Sequence, residues 1–202
     1  MTSTSPTPPA GGPAGPTGPA GPVSPVKRLL VVLVLAAVII GLDQATKQWA
    51  LSGLGDGQTI TLPTGFIHLH LLVNAGAAFS FATGETWIIT VCACAAVLAI
   101  PWIALRARSW LLVVALGLLL GGAAGNLIDR LARAPGPGRG RVVDFIDYHG
   151  WFTGNVADIA IVVSAALLIV RAAVISHRER RAALAPRPAR DEPAGGDPAK
   201  AV

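Results

Sequence analysis

The sequence predicts a membrane protein that is mostly α, with four transmembrane helices and a small extracytoplasmic β-sheet or hairpin region. Three observations carry this. Hydrophobic residues make up 52% of the 202 residues and charged ones only 13%, and the mean hydropathy is +0.59, too apolar for an ordinary soluble domain. Four apolar runs each approach the ~20 residues that a helix needs to cross a bilayer. Between the first and second runs, from Gly57 to Asn74, the apolar period changes from helical to two.

Residues 1–26 are Pro, Gly, Ser, Thr and small apolar residues without a charge. They bury too little apolar area to offset their ordering entropy, so a disordered cytoplasmic tail is expected. A four-span domain over 27–176 is expected to follow, and then a disordered, basic, Pro-rich cytoplasmic tail over 177–202. Lys27 and Arg28 precede the first span, whose apolar run Leu29–Leu42 is taken up again from Trp49 to Leu51 without a small-residue cleavage site, so it reads as an uncleaved span. Asp43 and Lys47 stand near its end at i and i+4, acid first, the favourable order for a helical ion pair.

In the period-two stretch Ile60 and Leu62 alternate with threonines, and Pro63-Thr64-Gly65 makes a turn. Ile67, Leu69, Leu71 and Val73 then alternate with His68 and His70, which gives strand, turn, strand. This hairpin is expected to close over a site at the membrane surface. His68 and His70 read as solvated strand histidines, since a third metal ligand is missing from their neighbourhood in the sequence. Asn74 and the small residues Ala75–Ala78 come next.

The second span is expected from Thr86 to Leu105, the third from Ser109 to Ile128 and the fourth from Val156 to Val174. Cys92 and Cys94 lie within the second and read as small packing residues. The formal net charge of +5 gathers beside the spans rather than in an aromatic-rich basic patch. It therefore sets orientation, with both termini cytoplasmic, and no nucleic-acid partner is expected. Arg130, Arg133, Arg139 and Arg141 fall on the opposite side, against the positive-inside tendency. Arg130 is expected to pair with nearby acids; the other three have no explanation in the sequence.

Those acids are the chemistry. Asn126, Asp129 and Arg130 share a helix face at the end of the third span. Asp144 follows a Gly/Pro-rich loop, and Asp158 lies one turn into the fourth span after Asn155. An acid at the end of a membrane helix is costly and marks a functional site. Two carboxylates in a poorly solvated place share a proton, so one serves as general base on water and the other as general acid. The bland alternative is a set of helix-end acids paired with Arg130 and Lys47.

The series Asp43-Gln44-x-x-Lys47, Asn74-x-Gly76-Ala77-Ala78-Phe79, Gly125-Asn126-x-x-Asp129-Arg130, Val142-Val143-Asp144-Phe145 and Asn155-x-Ala157-Asp158 resembles lipoprotein signal peptidase (signal peptidase II) over about residues 28 to 175. The resemblance implies an aspartic endopeptidase, multi-pass in the bacterial inner or cytoplasmic membrane, with its active site at the extracytoplasmic surface. Its substrates would be diacylglyceryl-modified prolipoproteins, met in the membrane lipid and cut just before the lipidated cysteine. It places the catalytic pair on Asp144 and Asp158 and substrate-backbone contacts on Asn74 and Arg130. Asp43, Lys47, Asn126, Asp129 and Asn155 become support for the site, and no metal or organic cofactor is implied. Two departures stand out: Gly154 precedes Asn155 where the family often has Phe, and the connector between Asp144 and Asp158 is short, with Asp147 a rival for the role of Asp144. The competing classes are a proton-coupled transporter, which calls for acids near mid-membrane, and a scaffold subunit, which tolerates Asp144→Asn.

Overall fold

The computed structural model describes residues 24–75 and 86–184. The Gly76–Phe79 part of the second motif, residues 1–23 and residues 185–202 lie outside the described residues. Eight elements follow in order: α1 (Pro25–Gly53), β1 (Thr59–Thr61), β2 (Ile67–Asn74), α2 (Thr86–Arg106), α3 (Trp110–Ala132), β3 (Val142–Tyr148), β4 (Thr153–Gly154) and α4 (Val156–Leu184). Four helices are long and apolar enough to cross a membrane. α1 begins at Pro25, where Ser24 Oγ accepts from Lys27 N at 3.3 Å. α4 continues to Leu184, so helix extends at both ends beyond the 27–176 expected for the domain.

α3 is the central helix. Its Val113, Leu116 and Leu120 are buried with Val32 and Ala36 of α1 and Ile100 and Ala104 of α2. The outer helices turn large apolar side chains outward, among them Leu30, Val34, Leu98, Trp102, Val162 and Ile169, as a helix surrounded by hydrocarbon requires. Close approach of α1 to α3 depends on glycine. A Cβ on Gly121 would stand 2.6 Å from Ile39 Cβ, and one on Gly125 2.7 Å from Asp43 Oδ2. Ser164 of α4, fully buried, donates to Ala115 O of α3 at 2.8 Å.

The strands form one antiparallel sheet in the order β1-β2-β3-β4. The expected hairpin is β1 and β2, but β2 is held on both edges: Thr61 lies opposite His68, and Asn74 opposite Val142. In this structure it forms a wall of the site. The connector after α3 contributes β3 and β4, strands that the sequence analysis leaves unassigned. The loop between α3 and β3 is tied to the helix end, since Gly138 N and Gly140 N donate to Arg130 O at 2.9 and 3.0 Å. Phe145 of β3 faces the end of α1, buried with Ala50 and Leu54, its ring edge-on to Trp49 at 6.1 Å. Successive strand residues point to opposite faces, so Asp144 turns the other way.

Candidate active site

Asp144 occupies the middle of β3, 2% exposed. A tight turn leads back into β4, where Gly154 pairs with Ile146, and Asn155 then caps α4. Asn155 Oδ1 accepts from Asp158 N at 3.1 Å, and Asp158 Oδ2 accepts from Asn155 N at 3.1 Å. This reciprocal capping box fixes the Asp158 carboxylate at the positive end of a helix. The short connector is thus a hairpin that returns the chain to Asp144. Asn155 joins the two acids, because its Nδ2 also donates to Asp144 Oδ1 at 2.6 Å.

Each acid has one further amide donor: Asn74 Nδ2 to Asp144 Oδ2 at 2.9 Å, and Asn126 Nδ2 to Asp158 Oδ1 at 2.8 Å. Burial pushes the Asp144 carboxyl up to about 6, with the charge of Asp158 acting in the same direction; hydrogen bonds from Asn74 and Asn155 and the charge of Lys47 act against it.

Behind the acids lies a charged network. Lys47 and its partners Asp43 and Asp129 are fully buried. Lys47 Nζ is 2.8 Å from Asp43 Oδ2, 2.8 Å from Asp129 Oδ2 and 2.9 Å from Asn126 Oδ1, so its three donors are all used. Asn126 passes this constraint to Asp158. Asp43 Oδ1 accepts from Ala157 N at 3.0 Å and ties α1 to the start of α4. Asp129 Oδ2 accepts from Val143 N at 3.3 Å, beside Asp144. Both ends of the site are therefore held to one buried ion cluster. Arg130, 7% exposed, lies in the field of Asp144, Asp129 and Asp158, and among the described residues its Nη1 finds no hydrogen-bond partner.

All nine residues singled out in the sequence come together here. Asp43 and Lys47 form part of the buried cluster rather than a solvated helix-end pair. Asp147 does not join. It points to the other face of β3, accepts from Gly150 N at 2.8 Å and stands 3.9 Å from His70 Nδ1. Sequence reasoning missed two supports. Gln44 Nε2 lies within hydrogen-bond distance of Asp43, Gly125 O and Asp129, and Arg133 Nε donates to Asp129 Oδ1 at 2.7 Å. The i, i+4 spacing of Asp129 and Arg133 was the available signal.

The glycine before Asn155 has a structural reason. A Cβ at Gly154 would stand 2.6 Å from Phe152 Cε1 and 2.9 Å from Asp158 Oδ2. Gly154→Ala should therefore displace the acid, lowering kcat at least about ten-fold and stability by about 1–3 kcal/mol. Proteolytic rates and thermal unfolding of the purified variant check this; unchanged kcat would show that the contact is not needed.

Two grooves lie at the site, one beside Asp158 and one beside Asn74. One of about 320 Å³ is lined by Tyr148, Phe152, Gly154, Asp158, Ile159 and Val162, and another of about 400 Å³ by Asn74, Trp151, Phe152 and Thr153 among others.

The family model for signal peptidase (SPase) II matches residues 35–174. The chain is 45% identical to the lipoprotein signal peptidase of Mycobacterium leprae over 143 residues, 71% of this chain and 71% of that protein. It is 46% identical to that of Mycobacterium avium over 143 residues, 71% of this chain and 79% of that protein. A bacterial membrane enzyme solved by the in meso method at 1.9 Å superposes with a TM-score of 0.61 at 25% identity, over 69% of this chain and 90% of that one. A second, solved at 2.3 Å, shares the fold with a TM-score of 0.60 at 22% identity, over 79% of this chain and 94% of that one.

Proposed function

The chain belongs to the signal peptidase II family, and from that premise we propose that Asp144 and Asp158 form a water-activating pair that removes signal peptides from diacylglyceryl-modified prolipoproteins just before the lipidated cysteine. The observation that supports this most is the shared clamp on the two acids, with Asn155 donating to one through its side chain and to the other through its backbone. The surrounding charge fits a single shared proton. Asp43, Asp129, Asp144 and Asp158 face Lys47, Arg130 and Arg133, four negative groups against three positive, and one proton on the pair makes the cluster neutral.

The ionised acid takes a proton from water, and the oxygen bonds to the scissile carbonyl carbon. The protonated acid gives its proton to the carbonyl oxygen. As the tetrahedral centre collapses one of its hydroxyl protons returns to the pair, the C–N bond breaks, and the leaving nitrogen, that of the lipidated cysteine, takes a proton from the pair, which ends with the one proton it began with. The unpartnered Nη1 of Arg130 and the amide of Asn74 are the donors for substrate carbonyls, and the apolar groove beside Asp158 takes a substrate side chain. We place the site at the extracytoplasmic surface, with both termini cytoplasmic, because Lys27, Arg28, Arg106, Arg108 and the arginines after Val174 share the other side.

The test is cleavage of a prolipoprotein with and without its diacylglyceryl group by the purified protein in lipid. Mass spectrometry should find a product beginning at the lipidated cysteine, and only from the modified substrate. Equal cutting of both forms would sink the substrate assignment.

The raised Asp144 value sets a pH dependence. Asp158 is charged as Asp144 titrates, so the pair holds its one proton below about 6 and loses it above, and kcat/KM should fall about ten-fold per pH unit on the alkaline side. Stability runs in the same direction. The folded-state value lies above the ordinary 3.8, so the folded protein holds the extra proton between the two. This group's contribution is fully present below about 3.8 and is lost as pH rises to about 6, about 3 kcal/mol in all. A kcat/KM profile that stays flat as pH rises from about 5 to about 8 would contradict the assignment of Asp144.

A further inference from the structure

We infer that the groove between the α3–β3 loop and the back of the sheet is a binding site for an anionic phospholipid, with Arg141 and Arg133 holding its headgroup phosphate. The groove, about 480 Å³, is lined by Leu51 of α1, Val73 of β2, Val143 of β3 and Arg133, Ala134, Pro135 and Arg141 of the loop. Val73 and Val143 are paired across β2 and β3. Val143 points away from the face that carries Asp144, and neither Asp144 nor Asp158 lines this groove, though Val73 is shared with the groove beside Asn74.

The lining divides by chemistry. Leu51, Val73 and Val143 make an apolar floor suited to acyl chain. Arg133 uses Nε on Asp129, and its terminal nitrogens make no hydrogen bond among the described residues. Arg141 is exposed, its backbone pinned by a 3.1 Å hydrogen bond from its N to Ala134 O. Its guanidinium has no ion pair or hydrogen bond among the described residues. Planar guanidinium groups match phosphate oxygens two at a time. Because Asp129 offsets the charge of Arg133, the uncompensated charge is that of Arg141, which favours a lipid of net negative charge over a zwitterionic one.

Depth agrees with this reading. The last turns of α1 and α3 expose Trp49, Ile128 and Leu131, so the outward apolar surface gives way to arginine at this level, where headgroups lie. The site also supplies a reason for Arg141 to stand against the positive-inside tendency.

The test is native mass spectrometry of the full chain released from nanodiscs of equal phosphatidylglycerol and phosphatidylcholine. Wild type should retain phosphatidylglycerol over phosphatidylcholine, and Arg141→Gln should lower that ratio about ten-fold, as expected for one charged phosphate contact. Arg141→Lys should keep part of it. Arg139→Gln, which removes the same charge outside the groove, should leave the ratio unchanged. Equal retention by wild type and Arg141→Gln would overturn the proposal, as would equal losses in Arg139→Gln and Arg141→Gln, which would mean a diffuse surface effect. Loss of the bound lipid on adding millimolar inorganic phosphate, with phosphate retained in its place, would reassign the groove to free anions. Folding is not at issue for so exposed a side chain, and unchanged prolipoprotein cleavage by Arg141→Gln confirms an intact protein.

Discussion

Asp144→Asn and Asp158→Asn should each slow prolipoprotein cleavage by about four orders of magnitude in proteins that still fold. Asparagine keeps the shape of either side chain but can neither take a proton from water nor pass one on. Asp144 tolerates the change structurally because its carboxyl is already costly to ionise: it is buried, and held at about 6 against an ordinary 3.8. Thermal unfolding of Asp144→Asn at neutral pH should therefore come no lower than that of wild type. Asp147→Asn, on the opposite face of β3, should keep most of the activity, and its amide oxygen can still accept from Gly150 N. Activity retained in Asp144→Asn and lost in Asp147→Asn would move the catalytic role.

Lys47→Met should have the largest effect on stability. It leaves Asp43 and Asp129, both fully buried, without the ammonium that stands 2.8 Å from each. Removing one partner of a buried ionic group costs about 3–5 kcal/mol, because the remaining charge has no compensation. For a chain of this size that is a fall in Tm of roughly 10 °C. Activity should fall with it, since Lys47 orients Asn126 and Asn126 orients Asp158. Asp43→Asn/Lys47→Met should recover part of the lost stability, because Asp129 keeps Arg133 as a partner. If Lys47→Met melts within 2 °C of wild type, the buried cluster is not what holds the site together.

The four spans, and the residues that cluster at the candidate site, were legible in the sequence because their signals are local. Long apolar runs give the helices, and an acid among apolar residues stands out wherever it falls. The hairpin of β1 and β2 was legible because one of its faces is apolar and the other polar. β3 was not, and the reason is its place in the sheet. Val142, Val143, Asp144 and Phe145 are all buried, with the end of α1 on one face and the catalytic cluster on the other. Two-sided burial erases the alternation that marks a strand.

β4 is shorter still, and only its pairing with β3 defines it. Asp43 and Lys47 were visible as an i, i+4 pair, but their burial was not. That depends on Gly121 and Gly125 letting α1 approach α3, a packing fact that glycine spacing suggests only once the helix partner is known. The choice of Asp144 over Asp147 rested in the sequence on the Val142-Val143-Asp144-Phe145 motif alone; that the two acids lie on opposite faces of β3 depends on a strand the sequence did not reveal.

The most direct test of a shared-proton pair is single-turnover cleavage by Asp144→Asn, Asp158→Asn and the double variant, measured side by side. Two acids that work as one unit predict a double variant no slower than the slower single, because either loss alone already removes the proton relay. Losses that multiply in the double variant, or a single variant that keeps most of its rate, would show the two carboxylates acting apart and would contradict the pair.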